Sequence, residues 1–127
     1  MKEQKALWIK QNLREGEIYA GIILGKNGDP DHHLILLPSI GDKRIPWKTA
    51  MKAAKDSGGD LPTRREQSLL FANCKEEFQP DWYWSNETYK DNAAYAWYQN
   101  FYDGGQSYGH EGDDDCRARA VRRLVIE

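Results

Sequence analysis

Residues 60–66 read Asp-Leu-Pro-Thr-Arg-Arg-Glu. They indicate the start of a helix, and this is the clearest structural signal in the sequence. Thr63 and Glu66 have the spacing of a capping box, in which each side chain accepts a hydrogen bond from the other residue's backbone N–H. Pro80 discourages continuation of the helix farther along the chain. The sequence therefore predicts a helix that begins at Thr63 and runs toward Glu77.

Upstream of this helix, the sequence predicts a short N-terminal helix followed by a β-hairpin. Apolar residues recur at helical spacing over residues 2–13. Residues 17–24 and 33–37 are β-rich runs, and Asn27 and Gly28 lie between them. An Asn-Gly pair favours the positive φ angles of a tight hairpin turn. We therefore expect two antiparallel strands after the first helix.

A further helix is predicted before residue 60, and strands are predicted after Pro80. The helix rests on apolar residues at i, i+3, i+4 and i+7, and it ends at Ser57, Gly58 and Gly59. Its apolar residues are Trp47, Ala50, Met51 and Ala54. After Pro80 the pattern has a period of two, which is typical of strands. One strand face is expected to hold Tyr95, Trp97, Gln99 and Phe101, and the other Ala94, Ala96, Tyr98, Asn100 and Tyr102.

The end of the chain is predicted to be a strand that is rich in arginine. Alternation predicts that Ala118, Ala120, Leu124 and Ile126 point inward and that Arg117, Arg119 and Arg123 point outward. Arg122 breaks this pattern, and either a β-bulge or a buried ion pair would explain it. We expect these arginines to form ion pairs within the domain.

Composition and charge limit the class of protein. The 127 residues, 39% of them hydrophobic, suffice for one domain with a real core, so residues 1–127 are predicted to form a single domain. The net charge of −2 disfavours direct binding to nucleic acid or to an anionic membrane. The charged N-terminus resembles neither a signal peptide nor a membrane span, so we expect cytoplasmic synthesis. Cys74 and Cys116 are predicted to be reduced and inert.

Four short motifs, taken in this order, resemble a known family. They are Leu61-Pro62-Thr63-Arg64, Trp84-Ser85, Ala96-Trp97 and Arg119-Ala120-Val121-Arg122-Arg123. As a set they resemble the phage and bacterial domain of unknown function 1566. That family is C-type-lectin-like and related to formylglycine-generating enzymes and to the C-terminal domains of collagen-like bacterial adhesins. The resemblance spans roughly residues 17–126 and leaves the N-terminal helix, residues 1–16, outside it.

The resemblance implies an α+β, C-type-lectin-like fold, in which two helices pack on antiparallel sheets and a short extra helix precedes them. It also implies a bacteriophage origin. The cysteine pair of the related oxidases is missing, because only Cys116 stands in that neighbourhood, and nearby aspartates oppose its ionisation. The calcium-binding clusters of the lectins are missing too. We therefore expect no enzyme activity, no cofactor and no metal; adjacent His32 and His33 would point to opposite strand faces.

The predicted site is a binding surface at the loop-rich end of the late strands. Tyr and Trp combine large, rigid contact area with a polar group, so recognition surfaces use them often. Trp47, Trp84, Trp97 and Phe101 are predicted to be inside. The candidate ligand-binding residues are Tyr89, Tyr102, Asp103, Gln106, Tyr108 and His110. A separate acidic loop comprises Glu111, Asp113, Asp114 and Asp115, and we interpret it as solvated and paired with the adjacent arginines.

Two hypotheses about function follow. The first is a non-catalytic recognition domain, phage-encoded and virion-associated, that binds a host protein or a surface glycan. The second is an intracellular phage effector that inhibits a host defence complex, such as a CRISPR complex, by protein–protein binding or by acidic mimicry of nucleic acid. Both leave open whether the domain forms a homo-oligomer, as displayed recognition modules often do.

Overall fold

A computed structural model of the protein describes residues 2–113 and 115–127 and shows an α+β fold. Within these residues the strands form two three-stranded antiparallel sheets, ordered β1-β2-β6 and β3-β4-β5. A single 3-10 turn, Lys75–Glu77, follows α3. The elements are α1 (Lys2–Asn12), β1 (Ile18–Ile23), β2 (His32–Leu36), α2 (Trp47–Asp56), α3 (Arg64–Cys74), β3 (Trp82–Tyr89), β4 (Asn92–Asn100), β5 (Gln106–His110) and β6 (Val121–Val125).

The capping box at the start of α3 is confirmed. The Glu66 N–H donates to Thr63 Oγ1 at 3.1 Å, and the Thr63 N–H donates to Glu66 Oε1 at 2.8 Å. The α-helix ends at Cys74, and the predicted extension toward Glu77 is a 3-10 turn. The start of the helix is therefore a local property of the sequence, because both capping partners lie within one turn.

The predicted β1–β2 hairpin is also confirmed, with a longer connection than a two-residue turn. Asn27 and Gly28 have φ angles of 56° and 89°, the left-handed region that this pair favours. The Asp29 N–H donates to the Lys26 carbonyl at 3.0 Å and closes the turn. The strand register shifts between Tyr19 and Gly21, which marks a bulge in β1.

The core has two parts, one for each sheet. In the first part, α3 packs on the β1-β2-β6 sheet and buries Leu34, Leu36 and Leu70. In the second part, Trp84 of the β3-β4-β5 sheet packs with Ala50 and Ala54 of α2. These two alanines belong to the apolar stripe that predicted α2, so that prediction is confirmed.

The last strand differs from the prediction in length and in the direction of its arginines. Regular pairing begins only at Val121, where β6 joins β2 in antiparallel register. Arg123 lies opposite Leu34 and Arg122 lies opposite Ile35. Because directly paired residues share a sheet face, Arg123 points toward α3 and Arg122 toward α1. The outward direction predicted for Arg123 is therefore wrong: helices cover both faces of this sheet, and simple alternation does not distinguish them.

Each of these two arginines is held by a carboxylate. Arg122 donates from Nε and Nη2 to Glu17 at 2.9 and 2.7 Å, which confirms the ion pair expected for this residue. Arg123 donates from Nε and Nη2 to Glu66 at 2.7 Å each. The Glu66 side chain is completely buried, and His32 also bonds to it at 2.7 Å. The first sheet is thus tied to α3 by a buried ionic cluster.

Replacement of Glu66 should destabilise the protein strongly, because it removes the buried carboxylate and leaves the half-buried Arg123 with Asp60 as its remaining carboxylate partner. We expect Glu66→Gln to lower the free energy of unfolding by about 3 kcal/mol. Lys52 and Asp56 form a matched control, since their ion pair is exposed on α2. Lys52→Gln should cost at most about 0.5 kcal/mol. Denaturant titration of the variants measures both values, and equal losses would contradict the buried-cluster account.

The same carboxylate should make stability depend on acid. Burial raises the pKa of Glu66, hydrogen bonds from Arg123 and Thr63 lower it, and the result lies below the ordinary value of 4.5. The ionised form is therefore favoured by folding, so its contribution is complete above that ordinary value and is lost as the pH falls through the lower folded-state pKa. Below pH 4.5, wild-type stability should fall more steeply than that of Glu66→Gln. Parallel acid limbs in denaturant titrations would contradict this.

Candidate functional site

Cross-strand pairing brings four of the six predicted ligand-binding residues onto one sheet. Along β4 and β5, Tyr95 pairs with His110, Trp97 with Tyr108 and Gln99 with Gln106. Because paired residues lie on the same face, their side chains form rows across the two strands. Tyr89, at the end of β3, joins the same group through its ring contacts.

We call the ring-bearing part of this group the aromatic face; it comprises the half-buried Tyr89, Tyr95 and Trp97 and the exposed Tyr108 and His110. The rings of Tyr89 and Tyr108 stack with centroids 3.9 Å apart and planes 18° from parallel. Trp97 meets Tyr108 edge-on at 5.3 Å, and Tyr95 meets His110 edge-on at 5.6 Å. Tyr108 is 41% exposed, and His110 is also exposed. A hydrogen bond with Tyr108 raises the pKa of Tyr89 above its ordinary value of 10.0.

Arg64, the first residue of α3, is fixed against this face. Its guanidinium lies 3.5 Å from the centroid of the Trp97 ring. Its Nε donates to Gln106 Oε1 at 3.0 Å, and Gln106 Nε2 returns a bond to the Arg64 carbonyl at 2.9 Å. Gln106 also donates to Gln99, which is buried. Stacking and hydrogen bonds thus hold the arginine in one orientation.

A groove of about 430 Å³ separates Arg64 from the end of the hairpin between β3 and β4. Glu87, Tyr89 and Trp97 line it together with Arg64. The Glu87 carboxylate accepts a hydrogen bond from the Arg64 backbone N–H at 2.7 Å. Lys90 and Asp91 also line the groove, which therefore combines aromatic walls with two positive and two negative side chains.

The other two predicted ligand-binding residues lie elsewhere. Tyr102 and Asp103 belong to the turn between β4 and β5, at the end of β4 opposite to Tyr95. Tyr102 is 70% exposed, and Asp103 accepts a hydrogen bond from the Gly105 N–H at 2.9 Å within the turn. The structure thus divides the predicted set into a group of four and a group of two.

The acidic loop does not engage the arginines as expected. Asp113 and Asp115 are exposed, and Glu111 is half-buried. The Trp47 backbone N–H donates to the Glu111 backbone carbonyl at 2.8 Å. Asp114 lies outside the described residues. Arg117 instead bonds to Asp81 at 2.8 Å.

Arg119 also has partners away from the acidic loop, on the carbonyls of Leu37 and Glu77. Arg122 and Arg123 pair with Glu17 and Glu66. The predicted pairing of the loop with its neighbouring arginines is therefore wrong within the described residues. Arg117, Arg122 and Arg123 pair with carboxylates from other parts of the chain, and Arg119 bonds to backbone carbonyls. The ion pairs do lie within the domain, as expected.

The adjacent histidines point to opposite faces of β2, as the strand geometry predicts. His32 bonds to Glu66 of α3, and His33 bonds to the Tyr19 hydroxyl at 2.7 Å on the other face, beside Trp8. Among the described residues, no three His, Cys, Asp or Glu side chains converge in a way that could hold a metal ion. No helix within the described residues is long and apolar enough to cross a membrane.

Both cysteines are buried thiols. Burial, with smaller contributions from Glu76 and Glu77, raises the pKa of Cys74 to about 11. Burial also raises the pKa of Cys116, and the neighbouring Asp115 acts in the same direction, as the sequence predicted. Neither thiol is therefore activated as a nucleophile near pH 7.

This environment makes cysteine reactivity a test of the fold. In the native protein at pH 7, both thiols should react with a chromogenic disulfide reagent far more slowly than a free thiol does, because they are protonated and covered. In denaturant both should react at the free-thiol rate. Mass spectrometry after partial labelling identifies the modified residue, and rapid native labelling of Cys116 would contradict its burial.

Comparison with known proteins adds no family assignment, because no family model and no curated protein matches the sequence. The resemblance to the domain of unknown function 1566 stays a prediction that rests on the four motifs.

Sequence reasoning missed several residues of this region. Trp97 was expected in the core, yet it is half-buried and stacks with Arg64. Arg64 was not proposed as a site residue, because its contacts with Trp97 and Gln106 join segments far apart in the chain. The period of two did place Tyr95 and Trp97 on one face, and that pattern was the signal that could have indicated an aromatic row.

Proposed function

We propose that the protein is a non-catalytic recognition domain that binds a host-surface glycan on its aromatic face. The observation that carries this proposal is the contact of five rings on one open sheet face, beside an arginine held in place by stacking. Planar rings offer flat apolar area to the C–H groups of a sugar. Their hydroxyl and ring N–H groups, with Arg64 and Glu87, offer hydrogen bonds to its hydroxyls.

The size of the face favours a glycan over a protein partner. Two strand repeats along β4 and three strands across it span roughly 7 Å by 10 Å. A stable protein–protein interface buries about 800 Å² on each partner, roughly ten times this area. A few sugar rings, in contrast, match a face of these dimensions and the groove of about 430 Å³ beside it.

The rigidity of the site also supports binding. Arg64 is held by Trp97 and Gln106, and Tyr89 is held by Tyr108. A ligand therefore meets side chains that have already lost much of their conformational freedom, and less of the binding free energy is spent on ordering them.

The finer fold and the origin belong to the same proposal. We propose that the α+β arrangement is C-type-lectin-like and that the protein is phage-encoded and displayed to host cells. The two antiparallel sheets and the Leu61-Pro62-Thr63-Arg64 start of α3 support this, because both agree with the resemblance seen in the sequence.

The second candidate function, an intracellular inhibitor of a host defence complex, is supported by the acidic loop. Asp113 and Asp115 are exposed, and the nearby arginines have partners elsewhere. These carboxylates are thus free to face a basic groove on a partner.

Removal of one ring should separate these functions. We expect Tyr108→Ala to weaken binding to host cells and to a glycan array by about tenfold or more, because it removes an exposed stacking surface. Tyr102→Ala is the matched control, since Tyr102 is an exposed tyrosine outside the aromatic face. Binding of labelled protein is measured by flow cytometry and array fluorescence, and the folded state by thermal unfolding.

Other outcomes contradict the glycan proposal in distinct ways. A loss with Tyr102→Ala but not with Tyr108→Ala places the ligand at the β4–β5 turn. Stoichiometric capture of one intracellular complex from host lysate, abolished by Asp113→Asn with Asp115→Asn, establishes the inhibitor function instead. Loss of cell binding after protease treatment of the cells, with an empty glycan array, identifies a protein receptor.

A further inference from the structure

A second cavity, of about 530 Å³, lies on the other side of Arg64 from the aromatic groove. It opens where β1 ends and β2 begins, above the first turn of α3, and His32, Arg64, Arg65 and Ser68 line it. Arg64 and Glu87 line both spaces. A ligand resting on Trp97 or Tyr89 can therefore extend a substituent past Arg64 into this cavity.

The two arginines of the cavity, Arg64 and Arg65, have N–H groups that donate to no acceptor within the described residues. Arg64 uses Nε for Gln106 and stacks its plane on Trp97, and within the described residues its two terminal nitrogens bond to no acceptor. Arg65 is exposed and uses only Nη2, which donates to the Leu24 carbonyl at 2.9 Å. Two guanidinium groups from adjacent residues thus present free N–H groups to one space.

The neighbouring acids offset only part of this charge, because Glu87 is the one uncompensated acid among the described residues that line the cavity with the two arginines. Glu66 is buried and bonded to Arg123, so its charge is already compensated. Glu87 directs Oε2 to the Arg64 backbone N–H at 2.7 Å. Two backbone N–H groups at the start of α3 are occupied as well, because Glu87 accepts from the Arg64 N–H and Thr63 from the Glu66 N–H. Recognition of a ligand in this cavity therefore depends on the arginine side chains and not on the helix end.

We infer that the ligand is an acidic saccharide, whose sugar ring lies on the aromatic face and whose carboxylate lies between Arg64 and Arg65. The planar fork of a guanidinium matches the two oxygens of a carboxylate, and such charged hydrogen bonds are shorter and stronger than neutral ones. Arg64 is already fixed by Trp97 and Gln106, so its fork is oriented before the ligand arrives. This inference rests on the proposed function and adds the class of sugar.

The test compares three small sugars that differ at one position. Methyl glucuronide carries the carboxylate, methyl glucoside is its neutral counterpart, and methyl glucoside 6-sulfate carries a different anion at that position. Each is titrated into isotope-labelled protein at constant ionic strength, and NMR shifts of arginine Nε–H, tryptophan indole and backbone amide groups are followed. The glucuronide should give saturable shifts at Arg64, Arg65 and Trp97 and bind about tenfold more tightly than the glucoside.

Matched variants assign the effect to the two arginines. Arg65→Gln should weaken glucuronide binding by about tenfold and leave glucoside binding unchanged. Arg64→Gln should weaken binding of both sugars, and glucuronide binding more, because Arg64 also stacks on Trp97 of the aromatic face. Arg65 is exposed, so its replacement spares the fold even if that of Arg64 does not. Lys48→Gln removes an exposed cation from α2, outside both cavities, and should change neither affinity.

The outcomes separate this inference from the proposed function. Equal affinity for glucuronide and glucoside, with shifts on the aromatic face, overturns the acidic class and leaves the glycan function standing. Tighter binding of the sulfate ester overturns the assignment to a carboxylate. Shifts at the arginines without any at Trp97 or Tyr108 support the anion site and count against the aromatic face. The absence of saturable shifts with all three sugars overturns both.

Discussion

The rest of this structure depends on one buried carboxylate, that of Glu66. A charge removed from water is tolerated only when partners compensate it fully, and here those partners come from three parts of the chain. The Thr63 N–H provides one hydrogen bond in the capping box, Arg123 of β6 provides two, and His32 of β2 provides a fourth. The start of α3 is thus fixed against the first sheet by interactions that admit little displacement.

The second sheet is held in position by the same helix, α3. Gln67 follows Glu66 in the chain, and its side-chain Nε2 donates to the Tyr83 backbone carbonyl of β3 at 2.9 Å. The Gln67 backbone carbonyl accepts from Gln99 Nε2 of β4 at 3.0 Å. Arg64, the first residue of α3, stacks on Trp97. Because both sheets are positioned by one turn of α3, the cavities on either side of Arg64 have a defined shape. The candidate site lies at this junction.

Several polar side chains of the candidate site therefore also hold the helix and the strands together. Gln106 links Arg64 to the buried Gln99, and Glu87 accepts from the first N–H of α3. Such connected side chains are costly if only partly satisfied, and they specify one arrangement when they are complete. The aromatic rings beside them are exposed to different degrees, and this combination of a rigid polar frame with accessible rings is what a recognition surface requires.

The sequence by itself determined those features whose partners lie close together in the chain: the capping box at Thr63, the left-handed turn at Asn27, and the opposite directions of His32 and His33. Each depends on local backbone geometry or on strand alternation. Tertiary structure alone decided the register of β6, because helices cover both faces of its sheet and either arginine direction finds a carboxylate. It also decided the contact of Arg64 with Trp97, since no local rule relates residues from a helix and a strand that meet only after the chain has folded.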